Sequence, residues 1–431
     1  MHHLFAKLRR VFAGSFLADV GKLSFGTLSG RLISIAVLPL LTRIYSPTDF
    51  AILATYMAVL GTIAVAACLR MDVAIPMAET DLDAVNLLVL ALSALALITL
   101  VTLLLVITIP GALAEWLGNA AIKPYLWLVP LGIGLTGTYS AFQFWTTRAR
   151  RFGHIARTRV SQSLLGAVTM LSLGWWGLAP FGLLLGNAFS TGVGGVGLAV
   201  GAARKERALL GLVSPANMIS TFRRYHRYPL FSTPDAFLNI AGAQVPVLII
   251  AATAGAEAGF LLLATQLMAA PMGLLGSSIS QVYVSRAPEA YRDGRLKELT
   301  FKIMRHLALI GVGPLILVGL LAPSLMPYVF GAEWQRAGEI ILWMTPWILL
   351  QFIASPVSMV MFVTGHQRGM LMLTAFGFAI RSGAVLAASR LGYPLVETFA
   401  LASALFYGVC ALVFSQVAHC NAKGGTTPCH K

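Results

Sequence analysis

Charge is what this sequence has least of. Only 11% of its 431 residues are Asp, Glu, Lys or Arg, against roughly 25% in soluble domains. Acids are the scarcer sign, 16 against 31 basic residues. A soluble chain of this length needs more polar surface to cover its core, so soluble enzyme classes are excluded. Cysteine is scarce too: Cys68, Cys410, Cys420 and Cys429 have no spacing that suggests a disulfide framework. His419-Cys420 and Cys429-His430 resemble a ligand set only superficially, since they lie in a Gly-rich polar tail, and no metal site is expected. There is no Gly-rich nucleotide loop of the Walker type, so ATP is not the direct energy source and no cofactor is expected. No cleavable signal peptide is expected, because the first long apolar run follows Lys22 without a small-residue cleavage pattern and should stay as an anchor.

What is present is hydrocarbon-like sequence. Hydrophobic residues make up 58% of the chain and the mean hydropathy is +0.80. Crossing a bilayer core takes about 20 apolar residues. Runs of that kind occur at 23–43, 50–69, 85–109, 125–147, 160–177 and 179–201, and again at 229–253, 258–284, 301–322, 339–363, 369–389 and 393–417. The predicted architecture is all-α, a polytopic membrane protein of about 12 transmembrane helices in two six-helix bundles related as repeats. The expected segments are an N-terminal interfacial stretch 1–22 with a short helix at Leu4–Val20, a first bundle 23–201, a basic linker 202–228, a second bundle 229–418 and a tail 419–431.

Charge placement tests this division. An even number of spans puts both termini on one side. Placing them in the cytoplasm puts 25 of the 31 basic residues inside and four outside (Arg43, Lys123, Arg336 and Arg390), with Arg31 and Arg381 within spans. That asymmetry is the positive-inside signal. It also accounts for the net charge of +15 without nucleic acid, since basic residues scattered over short loops face lipid headgroups instead. Membrane lipids are expected partners and nucleic acid is not.

The halves share a pattern. Pro39 in the first span, Asp49-Phe50 and Leu53-Ala54-Thr55 match Pro246 in the seventh, Glu257, Phe260 and Leu263-Ala264-Thr265. Two such halves suggest a transporter with parallel repeats.

Polar residues inside spans mark candidate sites, because a charge in hydrocarbon is costly. Ser24, Thr27, Arg31 and Ser34 share one helical face, as do Ser232, Asp235, Asn239, Gly242 and Pro246. The two stripes, on corresponding spans, suggest the lining of a central cavity. Arg31 is a candidate phosphate ligand, since a guanidinium stays charged and offers a fork of donors. Asp235 is a candidate ion-coupling site for H+ or Na+, because a buried carboxylate is costly in its charged form. The alternative is that Arg31 and Asp235 form a structural pair. Arg381 is a second candidate for anion attraction, with a structural role equally open. Gln143, Gln266, Gln281, Tyr139 and Asn239 offer hydrogen bonds either to sugar hydroxyls or between helices. No catalytic constellation appears, and the external loops are too short for a glycan polymerase or ligase with a large external catalytic loop. The chain is not expected to be an enzyme.

Several segments, in order along the chain, resemble the O-antigen/exopolysaccharide flippases of the multidrug/oligosaccharidyl-lipid/polysaccharide (MOP) exporter superfamily. They are LPLLTRIYSPTDF (38–50), LRMDVAIP (69–76), FWTTRARRFGHIARTR (144–159), GLLGSSISQVYVSRAPEAYRD (273–293) and FGAEWQRAGEIILWMTPWILLQFIASPVSMVM (330–361). The resemblance implies a two-lobed, twelve-helix fold in the bacterial inner membrane, with alternating access to a central cationic cavity. It implies an undecaprenyl-pyrophosphate-linked oligosaccharide as substrate, with the glycan polymerase of the same pathway as a candidate partner. Arg43, Asp49, Arg70 and Asp72 fall in these motifs at span ends, where they would fix loops or gates. A cation-coupled multidrug exporter and a peptidoglycan-precursor flippase share the fold and remain alternatives. If Arg31 holds phosphate, Arg31→Ala abolishes complementation at matched protein levels; full activity in that variant removes Arg31 from the site.

Overall fold

The computed structural model describes residues 26–205, 211, 213–271 and 276–420, and these form helices joined by turns, with no strand among them. The expected interfacial helix Leu4–Val20, Ser24 and the Cys429-His430 pair lie outside the described residues. Helices α1 (Gly26–Ile44), α2 (Pro47–Ala67), α3 (Asp81–Thr108), α4 (Leu128–Arg148), α5 (Phe152–Trp175) and α6 (Phe181–Arg204) make up the first half. A shorter helix α7 (Pro215–Tyr225) follows within the basic segment. The second half contains α8 (Tyr228–Ala254), α9 (Glu257–Pro271), α10 (Ser277–Arg292), α11 (Leu296–Phe330), α12 (Ala332–Val363), α13 (Gln367–Leu391) and α14 (Leu395–Cys420).

Nine of the described helices are long and apolar enough to cross a membrane. The other three expected spans are the polar ones. Helices α4 and α5 carry Gln143, Arg157, Arg159 and Gln162. The span expected at 258–284 is two helices, α9 and α10, on either side of residues 272–275. The chain thus has about twelve spans. One sequence expectation is corrected: α5 starts at Phe152, two turns before the expected 160, so Arg157 and Arg159 are helical residues and not loop cations. Gly177 at φ 75° and Gly392 at φ 74° reverse the chain where a side chain would be strained.

The chain forms two compact units. One comprises residues 1–45, 59–116 and 120–237; the other comprises 46–58, 117–119 and 238–431. In the first, α4 packs on α3 and α6, and α5 packs on α6. Hydrocarbon offers no hydrophobic drive between helices, so close backbone approach supplies the attraction. A Cβ on Gly192 would overlap the Leu135 carbonyl carbon, and one on Gly195 would lie 2.5 Å from the Tyr139 nitrogen. Only glycine fits where α6 crosses α4. In the second unit, α12 packs on α11, α14 and α9.

The start of α2 is locked by a reciprocal cap. The Asp49 amide donates to the Ser46 hydroxyl at 3.2 Å, and the Ser46 amide donates to the Asp49 carboxylate at 2.9 Å. Asp49, a residue of the LPLLTRIYSPTDF segment, therefore fixes a helix start. The repeat is visible in side chains as well. The Thr55 hydroxyl donates to the Ala51 carbonyl at 3.0 Å and that of Thr265 to Leu261 at 2.9 Å. Phe50 and Phe260, equivalent in the two repeats, both meet the fully buried Trp334 edge-on, at centroid distances of 4.8 and 5.8 Å. Edge-to-face rings add to the energy of burial. Trp334→Ala should destabilise the second unit by about 3–5 kcal/mol, the usual range for deleting a core aromatic, measured as a loss of thermal stability in detergent. No loss would remove Trp334 from the core of this packing.

Candidate functional site: an arginine-lined cavity

Arg381 lies in the middle of α13 and is 6% exposed. Its Nε donates to the Gly377 carbonyl one turn earlier, at 2.8 Å. The guanidinium carbon stands 4.7 Å from the centre of the Phe406 ring on α14, a cation–π distance. On the other side it meets α8, where a Cβ on Gly242 would come within 2.8 Å of Nη2. Among the described residues Arg381 makes no ion pair. Its charge is held by a ring face, a carbonyl and a cavity.

That cavity, about 270 Å³, is lined by Arg381 with Asn239, Ser355, Ser358, Thr374 and Tyr407, and by Cys410 and apolar neighbours. Among the described residues no carboxylate lines it. Three features of the sequence build it. The stripe on α8 brings Asn239 and Gly242 to the same face. A Ser-Pro break interrupts α12, where Ser355–Val357 tightens to a 3-10 turn because proline cannot donate to the ladder. The small residue Gly377 lets Phe406 approach α13. The result is a fixed positive charge among neutral hydroxyl and amide groups. Chemically it suits an anion with further hydrogen-bonding groups and repels a cation.

The first unit contains a second cluster. Arg159 on α5 donates from Nε to the Tyr139 hydroxyl at 3.3 Å and from Nη2 to Gln143 Oε1 at 3.4 Å, and from Nη1 to Thr27 Oγ1. Its partners are neutral, and they come from α1 and α4. Arg31 is exposed one turn beyond Thr27 on α1.

Of the predicted residues, Arg381 and Asn239 thus share one cavity, and Gln143 sits with Arg159. Asp235 is exposed, in the first helical turn before Asn239. Gln266 is half-buried, and the side chain of Gln281 lies outside the described residues. Sequence reasoning passed over Arg159, Ser355, Ser358, Thr374, Tyr407 and Cys410. The Ser-Pro pair inside a span was a readable signal for the two serines. For Arg159, the signal was its place four residues before Ser163 and seven before Gly166, on one helix face.

Asp72 is 5% exposed and accepts a hydrogen bond from the Ser140 hydroxyl at 2.6 Å, with its second oxygen buried and unbonded. It follows a left-handed backbone step at Leu69 and Arg70, φ 49° and 56°. This ties the end of α2 to α4.

The profile of the polysaccharide biosynthesis protein family matches residues 40–339, well over half of the chain. The chain belongs to that family. Its fold is that of solved MOP-superfamily transporters. An inward-facing MATE multidrug resistance transporter aligns with a TM-score of 0.65 at 16% identity, over 92% of this chain and 94% of that one. The lipid II flippase MurJ, in an inward closed conformation, aligns with a TM-score of 0.67 at 12% identity, over 91% and 86%. A point mutant of the Vibrio cholerae MATE transporter VcmN aligns at 0.59 and 12% identity over 96% and 98%. Among curated proteins no sequence matches. The chain is thus a multi-pass membrane protein of the polysaccharide biosynthesis protein family, with the fold of solved MOP-superfamily transporters.

The packing of Gly242 against Arg381 gives a direct test of the site. Gly242→Ala places a methyl carbon 2.8 Å from Nη2, closer than van der Waals contact allows. The other neighbours of that methyl are at ordinary distances, so the protein should fold with near-normal stability while the guanidinium swings away. Transport should fall several-fold with unchanged melting temperature in detergent; unchanged transport would show that the position of Arg381 is immaterial.

Proposed function

We propose that the protein is a flippase that carries undecaprenyl-pyrophosphate-linked oligosaccharide units, of O-antigen, capsule or exopolysaccharide type, from the cytoplasmic to the periplasmic leaflet by alternating access. It works in the inner membrane, with both termini cytoplasmic. The observation that carries the reading is the buried, carboxylate-free Arg381 cavity in a member of a polysaccharide biosynthesis family. A diphosphate needs cationic donors, and sugars need neutral hydroxyl and amide partners; the cavity supplies both. Its volume fits part of a headgroup and no more, so the lipid tail stays in the bilayer.

The residues assigned to substrate are Arg381 and Asn239 in the second unit, and Gln143 with Arg31 in the first. Arg159 joins them as the cation that Gln143 accepts from. Asp235 is assigned to ion coupling by H+ or Na+ on its place one turn before Asn239, since its exposure removes the argument from burial. The glycan polymerase of the same pathway is the proposed partner.

A multidrug exporter of this fold is the weaker reading. A cationic drug approaching Arg381 meets like charge, and no acid lines the cavity to offset it. A peptidoglycan-precursor flippase shares the anionic diphosphate, and the polysaccharide family match favours the oligosaccharide carrier over it.

The deciding experiment uses the purified protein in vesicles loaded with a fluorescent lipid-diphosphate oligosaccharide, scoring leaflet transfer. Loss of a charge-assisted hydrogen bond costs roughly 1.5–3 kcal/mol, so Arg381→Ala should slow transfer about 10- to 100-fold, with Arg381→Lys in between because it keeps the charge without the fork. Drug accumulation without lipid transfer would overturn the proposal.

A further inference from the structure

Helix α7 has two unlike faces and a fixed location. Ser214 caps it, accepting from the Asn217 amide at 3.2 Å, and Pro215 occupies the first turn. One face is tied to the start of α3. The Thr221 hydroxyl donates to Asp83 at 3.4 Å, and Arg224 pairs with Asp83 at 2.9 Å and lies 3.7 Å from Glu79. The Tyr225 hydroxyl accepts from the Glu79 amide at 3.4 Å. Asp83 itself is buried and held by Thr80 at the helix cap.

The opposite face is uncovered. Ile219 is 56% exposed and Phe222 is 42% exposed. Arg223 and His226 are exposed on that same side, and Arg227, Leu230 and Phe231 continue it. No acidic residue occurs from Arg207 to Pro234.

Connectivity sets the depth of this face. Tyr225 is three residues from Tyr228, where the spanning helix α8 begins, and three residues reach at most about 10 Å. The anchored face meets the first turn of a second spanning helix, α3. Held between two span ends on one side of the membrane, α7 stays within a few ångströms of the headgroups. An exposed face that mixes apolar side chains with cations is the pattern of a helix lying in the interface plane. Acyl chains cover Ile219 and Phe222, while phosphate matches the arginines.

We propose that α7 is an interfacial helix that binds anionic phospholipid, with Arg223 and Arg227 as the headgroup ligands and Ile219 and Phe222 as the inserted apolar pair. Arg224 takes a different role: it is engaged with Asp83 and keeps the helix on α3. The occupant is the leaflet itself. The proposal does not depend on the identity of the transported substrate.

The test places a reporter on the uncovered face. The full chain bearing Phe222→Trp is reconstituted in vesicles of phosphatidylcholine containing 30 mol% brominated phosphatidylglycerol or, in parallel, 30 mol% brominated phosphatidylcholine, and quenching is taken as the difference from the parent protein. The introduced indole should be quenched by both, and more strongly by the anionic lipid. A basic residue near a charged surface is worth about 1 kcal/mol, so Arg223→Gln and Arg227→Gln should each lower the preference for the anionic lipid about fivefold, whereas the lysine variants keep it. Raising the salt concentration should erode the preference. Equal quenching by the two lipids overturns the anionic site. No quenching by either overturns the interfacial placement, as a protein partner covering this face would also produce.

Discussion

Hydrocarbon offers no hydrogen bonds, so every polar group within a span must be satisfied by its own helix or by a neighbour. Several threonines of this protein meet that constraint in the same way. Thr55, Thr102, Thr146, Thr265, Thr345 and Thr374 each donate to the carbonyl four residues earlier. Such back-bonding satisfies the hydroxyl proton at little cost. Against that background the arginines stand out. Arg159 reaches three neutral side chains on two other helices, and Arg381 satisfies only its Nε within its own helix. Among the described residues no other hydrogen bond of Arg381 is seen, and its side chain lines the cavity. A guanidinium kept in this state is costly, and the cost is tolerated where charge is used.

The sequence pattern located one side of this cavity and missed the other. The stripe Asp235, Asn239, Gly242 and Pro246 was readable because helical periodicity puts those positions on one face. In the structure Asn239 lines the cavity, while Gly242 on the same face packs against Arg381. The stripe did not reveal that Arg381 fills the groove left by Gly242, because nothing in the local sequence of α13 ties it to α8. Tertiary proximity between spans more than a hundred residues apart has no sequence period.

Arg159 was missed for a different reason. Counting basic residues to orient the chain treats every cation near a span end as a loop residue. Arg159 lies seven residues into α5, within a helix whose low hydropathy follows from carrying Arg157, Arg159 and Gln162. The same polar content that blurred the start of this span marks its place in the first unit's arginine cluster. Phe50 and Phe260, matched in the sequence pattern of the two halves, pack against one residue, Trp334.

The fold itself does not choose a substrate, since multidrug transporters and a lipid II flippase share it. What differs between such proteins is the sign and spacing of charge on the helix faces. Here several acids sit at helix starts: Asp49 and Asp83 in the caps of α2 and α3, Glu257 and Glu397 in the first turns of α9 and α14, the last two joining Glu339 around Arg336 at 2.5–3.0 Å. Carboxylates at helix N-termini are stabilised by the helix dipole and are there committed to structure. The described cavity in the second unit has arginine and no acid. This division of labour, acids for helix ends and an arginine for the interior, is the pattern expected of a carrier whose cargo brings the negative charge with it.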